Sequence, residues 1–112
     1  MRRGEVWLIN LDPTVGAEIR KSRPAVILSS DLMGALPLRD IIPLTDWKER
    51  YASAPWMLKV EPDAHNGLSK TSSADCFQIR SVSETRFVHK LGELPDHALD
   101  QLVERVTLVL AA

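Results

Sequence analysis

The apolar positions of this chain come in short bursts separated by turn residues, and only once do they settle into a long period. Val6 to Leu11 holds Val, Trp, Leu and Ile in loose alternation, which predicts a strand covered at least partly on both faces. Asp12-Pro13 and Gly16 end it, and Pro13 to Ser22 has no period, so a long loop is predicted before the second strand. Ala25 to Leu28 is an unbroken apolar run, the pattern of a strand buried on both faces. Asp31 to Pro37 reads as a connector with room for one helical turn, because Gly34 and Pro37 prevent anything longer. Ile41 to Thr45 predicts a third strand, and Pro43, which removes one ladder donor, assigns it to an edge or a bulge.

Asp46 to Pro55 is polar and turn-like. Trp56 to Val60 returns as a strand with Trp56, Leu58 and Val60 on one face, and Glu61 to Ser72 is a second long loop. Ser73 to Ile79 alternates, with Asp75, Phe77 and Ile79 on one side and Cys76 and Gln78 on the other. Ser83 to Arg86 reads as a turn capped by Ser83, and Phe87 to Glu93 as a last short strand. The long period follows Pro95: Ala98, Leu99, Leu102, Val103, Val106, Val109 and Leu110 fall within about 140° of arc at helical spacing. Short strands with one terminal amphipathic helix predict a mainly β fold with α, a strongly bent antiparallel sheet or partly open barrel with the helix packed on it.

At 112 residues the chain is read as one domain over 1–112, large enough to bury roughly two-thirds of its unfolded surface. Net charge is −1 with the signs interspersed, so any nucleic-acid contact has to come from a local patch. Cys76, the single cysteine, sits in a strand pattern and reads as a buried, inert thiol. Met-Arg-Arg-Gly-Glu at the N-terminus has no apolar signal-peptide core, and no run of about 18 apolar residues could span a bilayer, so a soluble, cytoplasmic protein without a membrane partner is expected.

Several chemistries find no residues to carry them. His65, His89 and His97 are scattered without Cys or His partners at ligand spacing, so no metal site is expected. Gly34 opens no phosphate loop, and Ser29 and Ser30 lack a His-Asp arrangement. A polar set near strand ends remains: Glu18, Arg20, Lys21 and Arg23 before strand two, Thr45 after strand three, Ser73, Gln78 and Arg80 around strand five. By spacing alone this set reads first as a solvated charged rim with capping hydroxyls. Arg23 argues against that reading. Pro24 pushes Arg23 toward extended backbone at the mouth of a buried strand, and a guanidinium mounted there loses less entropy on gripping an anion.

The residues also match a family. Arg3-Gly4-Glu5-Val6-Trp7, Leu11-Asp12-Pro13-Thr14-Val15-Gly16-Ala17-Glu18, Arg23-Pro24-Ala25-Val26-Ile27, Pro43-Leu44-Thr45, Gln78-Ile79-Arg80 and Leu91-Gly92, in that order along nearly the whole chain, closely resemble the MazF/PemK family of toxin endoribonucleases. The resemblance implies an SH3-like barrel of the CcdB/PemK type with a C-terminal helix. It implies a homodimer that cleaves single-stranded RNA at short motifs without metal or cofactor, and a cognate antitoxin whose C-terminal segment blocks the site. Carried over by position, the family's essential arginine falls on Arg23, its essential threonine on Thr45 and its acidic loop residue on Glu18. Arg20, Lys21, Ser73, Gln78 and Arg80 become candidate RNA contacts, and Trp47, beside Tyr51, a candidate base-stacking residue.

The implied reaction is attack of a ribose 2′-hydroxyl on the adjacent phosphate, with Arg23 and Thr45 stabilising the charge that develops and Glu18 as candidate base. Ala17 departs from relatives that carry serine before the loop glutamate, which removes a hydroxyl from the loop. Two other classes compete. A CcdB-like toxin that poisons a protein target such as DNA gyrase would act through a tryptophan near its C-terminus, where this chain reads Leu-Val-Leu-Ala-Ala. A peptide-binding adaptor would need an exposed aromatic groove, for which Trp7, Trp47, Trp56 and Tyr51 are the candidates, with Trp7 and Trp56 assigned to core or dimer contacts.

Overall fold

The computed structural model describes every residue from Met1 to Ala112. Seven strands and one helix follow one another as β1 (Glu5–Asn10), β2 (Ser22–Ile27), β3 (Leu38–Asp46), β4 (Met57–Val60), β5 (Ser72–Asp75), β6 (Arg80–Ser83), β7 (Phe87–Glu93) and α1 (Asp96–Leu110). Short 3₁₀ turns at Asp31–Met33, Glu49–Ser53, Cys76–Gln78 and Glu84–Arg86 join them. All ladders are antiparallel, in the order β4-β5-β3-β2-β1-β7, and β6 pairs with β3 off that path. The bent, partly open sheet and its C-terminal helix are those predicted.

β3 corrects the expectation for Pro43. It is not an edge strand: β2 lies along one side, and along the other β6 pairs up to Ile41 and β5 from Leu44. Pro43 falls in the gap between those two partners, where a missing N–H deprives neither ladder of a bond. The strand predicted over Ser73–Ile79 stops at Asp75, and the next, β6, begins only at Arg80. Asp75 interrupts the predicted strand by accepting the Phe77 N–H at 3.1 Å, which winds Cys76–Gln78 into a 3₁₀ turn and turns Phe77 out to solvent.

The core has two parts, one on each face of β2 and β3. Val26, Ile42 and Leu44 join Val6, Ala74, Leu99 and Leu102 in the larger, while Ala25, Ile27 and Ile41 join Ile9, Leu11 and Val82 in the smaller. The unbroken apolar run therefore had the right meaning. Helix α1 seals the larger cluster through Leu99 and Leu102, each worth about 2–3 kcal/mol of burial. Val103 and Leu110, assigned to the same face, stay exposed, as does Leu108, so the end of the helix past Val106 stands clear of the core. Trp56 is likewise exposed, stacked edge-on against Phe77 and not inside the core. Cys76 is fully buried and burial pushes its thiol up to about 12, the inert state predicted.

The barrel closes along a backbone seam. Residues 65–67, in the loop between β4 and β5, cross Leu91 and Gly92 of β7, and Glu93 N–H donates to the His65 carbonyl at 2.9 Å. A Cβ on Gly92 would meet the His65 carbonyl oxygen at 2.2 Å, and one on Gly67, whose φ is +70°, would meet the Leu91 carbonyl oxygen at 2.1 Å. Only glycine fits either place.

Candidate active site

Arg23 lies near the start of β2, opposite Ile9 of β1, and Thr45 near the end of β3, opposite Ser73 of β5. The β2–β3 ladder ends at Ala25 and Pro43. Continued by two residues, its register sets Arg23 against Thr45, at the point where the strands part to follow different neighbours. Two sheets diverging from a shared strand leave an open mouth there, with a guanidinium on one lip and a hydroxyl on the other.

The Arg23 mount is as rigid as Pro24 suggests. Its backbone belongs to the β1–β2 ladder, its side chain is half-buried, and Nε donates to the Arg20 carbonyl at 3.2 Å. None of the chain's ion pairs involves Arg23, Arg20 or Arg80. Their charge is free for an outside anion.

A cleft of about 380 Å³ is lined by Ala17, Glu18, Phe77, Gln78, Ile79 and Arg80. It joins the β1–β2 loop to the 3₁₀ turn after β5, two segments far apart in the chain. The loop's base is fixed by Leu11 N–H on the Lys21 carbonyl at 3.0 Å and Lys21 N–H on Asp12 Oδ1 at 3.1 Å, with Lys21 itself at φ +70°. At its tip Glu18 Oε1 accepts the Val15 N–H at 2.9 Å, around Gly16 at φ +60°. Arg80 has one terminal nitrogen, Nη1, buried without any hydrogen-bond partner. A buried unsatisfied donor costs about 1–3 kcal/mol. Asp75, which holds the turn in place, has its carboxyl pushed up by burial against the pull of the Phe77 and Gln78 backbone N–H groups.

The predicted site residues thus divide. Glu18, Gln78 and Arg80 line one cleft, Arg23 and Thr45 lie outside its lining and opposite each other in the continued register, and Arg20 and Lys21 are exposed at the loop's base. Ser73 is removed from the surface: it is fully buried and its hydroxyl donates to Met57 Sδ at 3.1 Å. Gln78 spends its amide on the loop backbone, with Oε1 accepting the Ile19 N–H at 2.6 Å and Nε2 donating to the Ala17 carbonyl at 3.2 Å. Trp47 is half-buried, its Nε1 on Glu49 Oε1 at 3.2 Å, its ring against Tyr51, and Lys59 Nζ 5.1 Å from its centroid.

Two site residues were missed. Phe77 lines the cleft, and the signal for it was the Asp-x-Phe pattern of a capped turn hidden in an alternating run. Lys59 reaches the Trp47 ring across strands, and no local pattern announces that. No group of three His, Cys, Asp or Glu side chains is arranged to hold a metal ion, and no helix is long and apolar enough to cross a membrane.

Known proteins share this arrangement. The family model of PemK-like, MazF-like toxins of type II toxin–antitoxin systems matches residues 2–110. Endoribonuclease MazF9 of Mycobacterium tuberculosis is 32% identical over 98% of this chain and 96% of its own length, and endoribonuclease PemK of Escherichia coli is 26% identical over 98% of this chain and 82% of its own. The crystal structure of MazF from Deinococcus radiodurans superposes with a TM-score of 0.81 at 23% identity, covering 100% of this chain and 97% of that one. A mycobacterial endoribonuclease in complex with its cognate antitoxin gives 0.76 at 15% identity, over 99% and 95% of the two chains. The curated relatives named here are endoribonucleases, which does not favour the gyrase-poisoning alternative. With the family model spanning all but the ends of the chain, the protein belongs to the PemK-like, MazF-like toxins of type II toxin–antitoxin systems.

Proposed function

We propose that the chain is a metal-independent endoribonuclease toxin that cuts single-stranded RNA, works as a homodimer, and is neutralised by the C-terminal segment of a cognate antitoxin. The observation that supports this reading is the β2–β3 register, which, continued past Ala25 and Pro43, sets Arg23 opposite Thr45, with Glu18 in a cleft formed by the loop that leads into β2. Arg23, free of carboxylate partners, clamps the scissile phosphate, and the Thr45 hydroxyl donates to the same group. Glu18 takes the proton as the ribose 2′-oxygen attacks phosphorus, giving a 2′,3′-cyclic phosphate, and the 5′-oxygen leaves to take a proton from solvent. Arg80, with one nitrogen unsatisfied, and exposed Arg20 and Lys21 steer the flanking backbone.

Exposed apolar residues support the dimer. Trp56 and Phe77 stack on each other, 38% and 66% exposed, beside a helix whose Leu108 and Leu110 are also uncovered, a surface that a second copy would bury.

The test is incubation of purified protein with RNA in EDTA. Cleavage with 5′-hydroxyl and 2′,3′-cyclic phosphate ends is expected to persist, and Arg23→Ala is expected to lower it about 10³-fold while leaving the thermal midpoint unchanged. Loss of cleavage on chelation, or an Arg23→Ala protein of undiminished activity, would overturn the proposal.

A further inference from the structure

We infer that Gln78 is a positioning residue that latches the β1–β2 loop over the cleft, and that its amide does not bind RNA. The inference rests on the endoribonuclease reading and gives one residue of that site a different task from the one its position suggests. Glu18 has no ion pair and sits near the tip of an exposed loop, so by itself it has no fixed place in the cleft. The Gln78 carboxamide supplies one. It accepts the N–H of the residue after Glu18 at 2.6 Å and donates to the carbonyl of the residue before it at 3.2 Å.

These are the donor and acceptor that a neighbouring strand would offer, delivered by one side chain across about sixty residues of sequence. Gln78 is itself held: it ends a 3₁₀ turn capped by Asp75 and anchored by fully buried Cys76, which packs in the larger core cluster. Ile19, the residue whose N–H is captured, packs against the smaller cluster. The loop is therefore pinned at Ala17 and Ile19, the residues on either side of Glu18, to a cleft wall tied to the core.

Both polar atoms of the amide bond the loop backbone, so an amide swung out to grip a base or phosphate would break the latch. A positioning group of this kind acts on the rate at saturating RNA, because it fixes the geometry of the reacting groups and not the affinity for the strand. Ala17 sharpens the point. Lacking a side-chain hydroxyl, this loop has fewer groups of its own to hold it, and the carbonyl of Ala17 carries half of the latch.

The experiment uses the full chain and compares wild type with Gln78→Leu and Gln78→Glu in two readouts. One is amide hydrogen exchange at Ile19 without RNA; the other is single-turnover cleavage of a mixed-sequence RNA over a range of protein concentrations. Gln78→Leu is expected to speed Ile19 exchange at least tenfold and lower the maximal cleavage rate about thirtyfold, with less than threefold change in the concentration for half-maximal rate. Gln78→Glu keeps the acceptor, loses the donor and is expected to fall between the two; it decides the matter if Gln78→Leu does not fold. Unchanged Ile19 exchange with a tenfold weaker half-maximal concentration would make Gln78 an RNA contact and overturn the latch. A wild-type protein that cuts no RNA would end the endoribonuclease reading, while the exchange data would still decide the latch.

Discussion

Two loops of equal length, Leu11–Lys21 between β1 and β2 and Glu61–Thr71 between β4 and β5, have opposite construction. The second consumes its own polar groups. Asn66, 1% exposed, accepts the Asp63 and Leu68 N–H groups and donates to the Glu61 carbonyl at 2.8 Å, while Asp63 Oδ1 accepts the His65 and Asn66 N–H groups at 2.7 and 2.8 Å. Leu68 is buried and residues 65–67 lie backbone to backbone on β7. The first is exposed over nearly all of Asp12–Glu18, closed at its base and pinned from outside by Gln78. A loop that satisfies itself closes the barrel; a loop held by side chains from elsewhere, Gln78 and Arg86 among them, keeps its surface for a ligand.

If this contrast is right, substitutions in one loop should unfold the protein and in the other should disable it. Gly92→Ala tests the seam most severely: its methyl group would lie far inside contact distance of the His65 carbonyl, and a loss of about 4 kcal/mol is expected in a urea melt. A loss below about 1 kcal/mol would mean that the seam yields easily and the contrast is weak. Glu18→Gln is expected to lower RNA cleavage about 100-fold, equivalent to about 2.7 kcal/mol of barrier, with the urea midpoint unmoved. Asn66→Ala should cost about 2 kcal/mol of stability, since it orphans buried backbone groups, yet leave the cleavage rate of the folded fraction unchanged.

Gly16→Ala has a smaller effect. An added Cβ meets nothing within 4 Å, so only the positive φ resists it, at about 1 kcal/mol, measurable in the same melt. The smallest effect is on pH. Backbone N–H groups of His65 and Asn66 hold the Asp63 carboxyl below its ordinary value of 3.8, so its contribution to stability is present above that value and lost as pH falls through the lower, folded one. Asp63→Asn should flatten the acid limb of the stability curve; a limb of unchanged slope would show that the turn does not depend on the charge.

Much of this was legible in the sequence because its causes are local. The Ala25–Leu28 run, the helix period after Pro95 and the Ser83 cap each appear as read, and Arg23 takes its mount from the proline beside it. What escaped depends on partners distant in sequence. Pro43 suggested an edge because the exchange of β6 for β5 along one side of β3 leaves no trace in the chain near it. Phe77 reads as part of one continuous strand because the cap that breaks that strand comes from Asp75, a residue equally at home in an alternating run. Gln78 gave its place on the cleft but not its bonds to the loop backbone, and Ser73 gave a pattern of alternation without saying which face was the interior.

β3 has a consequence for how such a site can change over time. One continuous strand belongs to both sheets, pairing with β2 and β6 in its first half and with β5 in its second. The spacing between the Arg23 lip and the Thr45 lip is therefore written into the register of core strands. The cleft's outer wall is written separately, in an exposed loop and one amide. Descent with variation can redraw the wall, and with it what the cleft contacts, without disturbing the span between Arg23 and Thr45.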